Sequence, residues 1–210
     1  FVSHNLSAVS RLCRRGLLLQ NGRKVMEGTA DEVVAAYVKS SLGAHSERRW
    51  DDPAEAPGNE VVRLRSVRLV DDSGRGVESI DIRRPIGVEM VLERLAPEPA
   101  FVPTIALHND QGVHVFNAID TDPFWAENQR TGLLRSIVWI PGNLLSEGTM
   151  FVSIVVVSVA SQQSIRHLAL TEAVAFQVYD PGEGDSSRGA FMGAWGGACR
   201  PMLRWERTPL

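Results

Sequence analysis

The chain has 210 residues, of which 44% are hydrophobic, and it carries a formal net charge of −3. This length suits one large domain, or a small unit followed by a domain of about 150 residues, and the apolar content suffices for an ordinary core. Residues 50–210 hold 14 Lys or Arg against 21 Asp or Glu, an acidic balance that argues against a nucleic-acid partner, which needs clustered cations.

The cysteines and the apolar runs bear on the cellular compartment. Cys13 and Cys199 are far apart in the sequence, which fits a reducing cytosol better than a disulfide framework. The longest apolar run, residues 150–160, is too short for a membrane helix and is typical of a buried strand. No basic stretch precedes an apolar one at Phe1, so we expect no signal peptide and a cytoplasmic chain.

The first 39 residues are predicted to form a strand, a helix, a hairpin and a second helix. Residues 1–4 are an apolar strand end that delivers His4. Asn21-Gly22 joins two short apolar runs, and both residues tolerate the positive φ that a tight hairpin turn requires. Thr29 and Glu32 have the spacing of a capping box, which predicts that a helix begins there.

This order of elements resembles the C-terminal end of the ATP-binding subunit of ABC transporters. The resemblance rests on Ser3-His4-Asn5 and on the spacing of Gly22, Gly28 and Tyr37. It implies that residues 1–39 are the last part of a nucleotide-binding domain, that His4 contacts the γ-phosphate of ATP in a full-length protein, and that Mg²⁺ is held there by other residues. The 210 residues contain no GxxxxGK[ST] loop, so we expect this chain alone neither to bind nor to hydrolyse ATP, and we interpret it as a fragment of a longer protein.

Residues 40–59 have the composition of a linker. They show no apolar period, and Pro53 and Pro57 stiffen the second half. Trp50 is the exception. We expect it to dock on a neighbouring domain, because an exposed indole leaves a large apolar surface in water.

Beyond residue 59 the pattern changes to short strands separated by turns. Residues 86–93 alternate in the manner of a half-buried strand, and a change of phase at Ser66 predicts a bulge. Further strands are predicted at 62–69, 105–108, 113–116, 134–140, 151–158, 174–179 and 199–206, with a hairpin turn at 109–112. Eight or nine short strands without a strong amphipathic helix predict a mainly β domain over residues 60–210, an antiparallel immunoglobulin-like or jelly-roll sandwich.

A sandwich joined by a linker to such an ABC domain resembles the ATP-binding subunit of O-antigen exporters, the Wzt group. The matching features are residues 67–74, the hairpin at 108–115 and the glycine-rich tail that ends in Leu203-Arg204-Trp205. The resemblance implies that the sandwich binds the end of a lipid-linked polysaccharide in the cytoplasm. It also implies a homodimer that works with the membrane-spanning subunit of an exporter, at the inner face of the membrane.

One loop and one hairpin carry the side chains that a sugar site needs. Flat rings suit the C–H faces of pyranoses, while amides and carboxylates suit pairs of hydroxyl groups. The candidate carbohydrate-binding residues are Asn117, Asp120, Asp122, Phe124 and Trp125 in the loop, with His108, Asn109 and His114 on the adjoining hairpin. The alternative interpretation is that the two aromatic residues plug the end of the sandwich while the two aspartates cap turns.

No catalytic or metal site is predicted. Glycoside hydrolysis needs two carboxyl groups across a cleft, calcium needs six or more oxygen ligands, and the histidines lack zinc-ligand spacing. We therefore expect a non-enzymatic chain without a cofactor of its own. The other function left open is an interaction module that docks the ATPase or the membrane subunit without binding sugar.

The last predicted strand, residues 199–206, is a candidate dimer contact. Pro201 lacks a backbone donor and therefore favours an edge position, and edge strands offer unpaired groups to another chain. The glycine-rich segment 182–197 is long enough for the strand to cross to a second copy or to fold back on its own sheet. The candidate residues for the dimer contact are Phe191, Trp195, Pro201, Leu203 and Trp205.

Overall fold

The computed structural model describes residues 13–20, 22–30, 32–33, 36–37, 46–160, 163–191 and 196–209. In this part of the chain the strands and one short helix are, in order, β1 Arg15–Gln20, β2 Arg23–Thr29, β3 Glu47–Arg49, β4 Val62–Val70, β5 Ser79–Asp81, β6 Ile86–Arg94, β7 Val102–Asn109, β8 His114–Ile119, α1 Phe124–Glu127, β9 Gly132–Ile140, β10 Gly148–Ala160 and β11 Gln163–Tyr179. None of the helices among these residues has the length and apolar character needed to cross a membrane.

The N-terminal strands form the predicted hairpin, with β1 antiparallel to β2. The Thr29 N–H donates to Glu32 Oε2 at 2.9 Å, and the Glu32 N–H donates to Thr29 Oγ1 at 3.3 Å. These reciprocal bonds confirm the capping box, and residues 30, 32–33 and 36–37 are helical. His4 lies outside the described residues, so its contact with ATP stays a prediction.

A four-stranded antiparallel sheet has the order β3-β4-β6-β9. Its register shifts between Leu64 and Ser66, which confirms the predicted bulge. β3 arises within the segment that has linker composition, and Trp50 follows it and packs against the core as expected. The Arg48 side chain donates to the Glu172 carbonyl at 3.1 Å, so this edge of the sheet contacts β11 of the other sheet.

A five-stranded sheet has the order β5-β11-β10-β7-β8 and is antiparallel except for the parallel pair β5–β11. Val152 faces Val174 and Ile154 faces Leu170, so residues 171–173 all lie opposite Ser153. This insertion bulges β11 and brings Glu172 to the flank where Arg48 binds its carbonyl.

The core lies between the two sheets, and together they form the predicted β-sandwich. Alternate side chains point inward, as the two-residue period of strands requires. The inward rows are almost wholly buried and include Leu64, Val67, Leu69, Val88, Met90 and Leu92 from one sheet and Ile105, Leu107, Val152, Ile154, Val174 and Phe176 from the other. β8 and β9 each end a sheet, so both have one free edge.

The predicted strand at residues 199–206 is wrong. Cys199 forms one isolated bridge with Leu145, and residues 200–209 belong to no strand. The segment that it meets, residues 143–146, is the connection between β9 and β10, so there is no strand along which a ladder could extend. Pro201 also removes one donor from the segment.

Candidate binding groove

The predicted carbohydrate-binding residues fall at opposite ends of β8. His108, Asn109 and His114 lie at the tip of the β7–β8 hairpin, whereas Asp120 and the residues after it follow the far end of the strand. The five steps from residue 114 to residue 119 span about 17 Å at the usual rise of a strand. The structure therefore does not bring the two groups together in one site.

The hairpin tip is held by its own side chains. The Asn109 Oδ1 atom accepts hydrogen bonds from the N–H groups of Gln111 at 3.0 Å and Val113 at 2.8 Å, so this amide stabilises the turn. His114 Nδ1 lies 3.1 Å from His108 Nε2, and the ring centroids are 4.7 Å apart. The two imidazole rings therefore contact each other at the tip of the hairpin.

The segment after β8 is a compact polar turn that leads into α1. Asp120 Oδ1 accepts the N–H of Asp122 at 3.1 Å, and Asp122 Oδ1 accepts the N–H of Phe124 at 2.8 Å. The second oxygen of each carboxylate accepts no hydrogen bond from the residues that the structure describes. The half-buried Asp120 and the exposed Asp122 thus each keep an acceptor for a ligand, and Phe124 is 46% exposed beside them.

Trp125 is not available to a ligand, which corrects its assignment as a sugar-stacking residue. Its side chain is 3% exposed and belongs to the core, with its ring centroid 5.5 Å from that of Phe101. The alternative interpretation, an aromatic plug at the end of the sandwich, describes Trp125 correctly. Asn117 is exposed on β8, opposite Ala106 of β7.

A groove of about 620 Å³ opens between the free edges of β8 and β9. Its floor includes the inward side chains of Met90 and Ile105. Its walls are residues 118–123 on the β8 side and residues 136–139 on the β9 side. The groove therefore includes two of the predicted residues, Asp120 and Asp122.

The chemistry of the groove combines an apolar floor with a polar rim. Asp120 and Asp122 are the only ionisable side chains among the described residues that line it, and both are acidic. Thr121 and Ser136 add hydroxyl groups. Trp139 lines the edge of the groove, but its indole packs over Gly87 on the outer face of the four-stranded sheet, because Trp139 pairs with Gly87 and is out of phase with the inward Ser136.

Ser136 and Trp139 are residues that the sequence analysis did not select. The strand that carries them was predicted, but its position at a sheet edge, across from β8, depends on the order of the strands in space. The available signal was a serine among the apolar residues of the inward row, between Leu134 and Val138. Such a serine indicates that the row is not fully covered by the opposite sheet.

Three arginines of the outer face of the four-stranded sheet, Arg65, Arg68 and Arg135, are paired with carboxylates. Arg65 contacts Glu93 at 2.9 Å beside a smaller pocket of about 320 Å³, and Arg68 contacts Glu89 at 2.6 Å. The Arg68 hydrogen bond, with a second one from Arg135, holds the pKa of Glu89 below its ordinary value despite its burial. These arginine and carboxylate side chains are paired with one another and stabilise the sheet.

Neither a metal-ligand cluster nor the predicted dimer strand appears among the described residues. No three His, Cys, Asp or Glu side chains there converge as metal ligands. Phe191 is 52% exposed, Leu203 63% and Trp205 74%, Pro201 is also exposed, and Trp195 lies outside the described residues.

Comparison with known proteins gives a match in fold. No protein-family model matches this chain, and no curated protein matches it in sequence. The solved crystal structure of the C-terminal domain of Wzt is similar in fold, with a TM-score of 0.56 at 11% sequence identity, and the match covers 78% of this chain and 89% of that one. The resemblance to the Wzt group that the sequence suggested is thus confirmed at the level of the fold: the chain has the β-sandwich of the C-terminal domain of Wzt.

Proposed function

We propose that this chain binds the end of a polysaccharide without chemically changing it and presents it to an ABC exporter. The observation that supports this proposal is an open groove with an apolar floor and a polar rim in a sandwich with the fold of the C-terminal domain of Wzt. The ligand class comes from the resemblance to the O-antigen exporter subunit. The groove volume of about 620 Å³ falls within the roughly 300–1,000 Å³ of small-ligand sites.

The groove offers the two kinds of contact that a pyranose needs. Its apolar floor suits the C–H faces of sugar rings. The free oxygens of Asp120 and Asp122 are placed to accept hydrogen bonds from hydroxyl groups. Specificity would come from these hydrogen bonds, because a site that bonds a hydroxyl strongly rejects an analogue without it.

The wider setting is part of the same proposal. Residues 1–39 would belong to a nucleotide-binding domain that holds ATP and Mg²⁺ in the full-length protein, with His4 at the γ-phosphate. The protein would act as a homodimer in the cytoplasm, at the inner face of the membrane, where it meets the membrane-spanning subunit. The sandwich would supply recognition, while the ATPase would supply the energy for export.

A glycan array followed by two aspartate variants tests the proposal. We expect saturable binding of the wild-type chain to one class of polymer. Asp122→Asn keeps an oxygen for the Phe124 N–H but removes a charged acceptor from the groove, so it should weaken that binding by about 1–3 kcal/mol. Asp52→Asn is the matched control, because Asp52 accepts the N–H of Ala54 in the same way, is exposed and does not line the groove. Equal effects of the two substitutions would place the site elsewhere, and no binding to any polymer would favour a docking module that binds no sugar.

A further inference from the structure

Arg94, at the end of β6, is a buried cation that lacks a buried counter-ion. Its side chain is 1% exposed, and no carboxylate among the described residues is hydrogen-bonded to it. Burial lowers the pKa of this guanidinium, and the charge of Glu98 only partly opposes that effect. A buried cation of this kind is costly, so its presence here calls for a physical reason.

The guanidinium joins two loops through backbone carbonyls. Nη2 donates to the carbonyl of Trp125 at 3.0 Å, and Nη1 donates to the carbonyl of Pro97 at 3.2 Å. The cation also lies 4.2 Å from the centroid of the Phe101 ring, which itself packs on Trp125. Nε has no partner in the described structure, so the side chain is not placed for maximal hydrogen bonding.

An apolar side chain could fill the same space at a lower desolvation cost. What it could not supply is a pair of directed donors that fix two carbonyl groups at once. The carbonyl of Trp125 belongs to α1, so the bond from Arg94 fixes the orientation of this single helical turn.

α1 is directly connected to the rim of the groove. The Trp125 N–H donates to the Asp122 carbonyl at 3.3 Å, and Asp122 Oδ1 accepts the Phe124 N–H. Arg94 also pairs in register with Gly132, the first residue of β9, whose later residues form the opposite wall. Arg94 is thus linked to the elements that carry both walls, to α1 through its side chain and to β9 through the backbone ladder.

We propose that Arg94 is a positioning residue that holds α1, and with it the Asp120–Asp122 rim, at a fixed distance from β9. The inference rests on the proposed function, since it assigns Arg94 a role in the shape of the same groove. Arg94 acts through the carbonyl of Trp125 and does not itself touch the ligand.

Hydrogen exchange tests, without any ligand, whether Arg94 holds α1 in place. In Arg94→Met, the amides of residues 125–128 should exchange at least about tenfold faster than in the wild type, because α1 loses its buried bond. Arg94→Lys keeps the charge but has no fork for two carbonyls, so it should give an intermediate rate and serves as the second variant if Arg94→Met does not fold. Val156→Ala, a truncation in the buried row of β10, is the control for general destabilisation.

Affinity for the polymer that the glycan array selects then tests the effect on the groove. Arg94→Met or Arg94→Lys should weaken binding at least fivefold under conditions where Val156→Ala, still folded, binds as tightly as the wild type. Unchanged exchange at residues 125–128 would show that Arg94 does not hold α1 in place and would overturn the proposal. Faster exchange with unchanged affinity overturns the positioning role and leaves the proposed function standing. If no polymer binds the wild-type chain, the proposed function fails and this inference fails with it.

Discussion

The Nε2 atom of His167 lies 2.7 Å from the Oγ atom of Ser158, and both side chains are buried. The other ring nitrogen, Nδ1, lies 3.0 Å from the side-chain nitrogen of Asn59. Asn59 Oδ1 already accepts the N–H of Val61 at 2.9 Å, so its Nδ2 is the donor that faces the ring. His167 is therefore a neutral imidazole whose proton sits on Nε2.

The order of the protons shows that Ser158 and His167 are not a nucleophile and its base. His167 donates to Ser158, and the Ser158 hydroxyl donates to the carbonyl of Ala100 at 2.5 Å. A nucleophilic serine would need to donate to the ring instead. Ser158 is also only 2% exposed, so the chain of bonds is structural and ties the start of the sandwich to β10 and β11.

This arrangement predicts a loss of stability in mild acid. Burial lowers the pKa of His167 from its ordinary value of 6.5, and the charge of Glu60 opposes the shift. The folded state therefore binds fewer protons than the unfolded state just below pH 6.5, and the free energy of unfolding should fall as the pH drops from 6.5 towards the lowered pKa. The slope for one proton is at most about 1.4 kcal/mol per pH unit.

Urea unfolding at pH 7.5 and at pH 5.5 measures the effect. His167→Gln should remove this part of the pH dependence, whereas His114→Gln, at an exposed position, should retain it. The same pH dependence in wild type and His167→Gln would contradict the assignment.

Trp125→Ala should destabilise the fold and should not act mainly on binding. The side chain is 3% exposed and packs on Phe101, so its removal leaves a large cavity and should cost about 3–5 kcal/mol of unfolding free energy. Leu133→Ala, at a site on β9 that is 66% exposed, should change stability by less than about 0.5 kcal/mol. Chemical denaturation of both variants checks the prediction, which fails if the two substitutions have similar effects.

Gly142→Ala and Gly76→Ala should have opposite effects on stability. A Cβ atom at position 142 would lie 2.1 Å from the Arg83 carbonyl oxygen and 2.5 Å from its carbon, and these backbone atoms cannot move aside cheaply. We expect a loss of at least about 1–3 kcal/mol. At Gly76 the nearest atom would be 3.9 Å away, and alanine should stabilise by up to about 1 kcal/mol, because it restricts the unfolded chain. Thermal melts of both variants and the wild type measure these changes, and a shift of the melting temperature in the same direction for both variants would contradict the prediction.

The C-terminal tail still predicts a homodimer, although it forms no strand within the described chain. The side chains of Met202, Leu203 and Trp205 are 58%, 63% and 74% exposed. Burying this apolar surface against a second copy of the chain would favour association. Sedimentation should show a dimer for the wild type and a monomer after deletion of residues 203–210. Leu17→Ser with Leu19→Ser, two exposed positions on β1, is the control. A wild-type chain that is monomeric at high micromolar concentration would contradict the predicted homodimer. A dimer that survives the deletion would show that the tail is not the dimer contact.

Strand positions were predictable because the two-residue period is local. The alternation of residues 86–93 predicted which side chains point inward, and Val88, Met90 and Leu92 are each 2% exposed or less. The phase change at Ser66 coincides with the observed bulge. Asn109 and Gly112 placed the β7–β8 turn for the same reason. In each case the physical determinant lies within a few residues of the signal.

The site was less predictable because it depends on which strands become neighbours. Asp120 lines the groove, but Ser136 reaches the same groove from a strand of the other sheet. Trp125 was misassigned because an aromatic residue after a turn is buried only if the fold supplies a packing partner. Here that partner is the Phe101 ring, which is distant in the sequence. Residues 199–206 had the pattern of a strand but met a connecting loop, and pattern alone does not supply a partner.

The open flank of the sandwich has a mechanical consequence. β8 and β9 belong to different sheets, so a molecule in the groove touches both layers, whereas the Arg48–Glu172 bond already joins them on another edge. A bound polymer would therefore act as a clasp that resists sliding of one layer over the other. At a concentration of 100 times Kd it would add about 2.7 kcal/mol to the free energy of unfolding. If the proposed function holds, an occupied domain would therefore resist unfolding more strongly than an empty one.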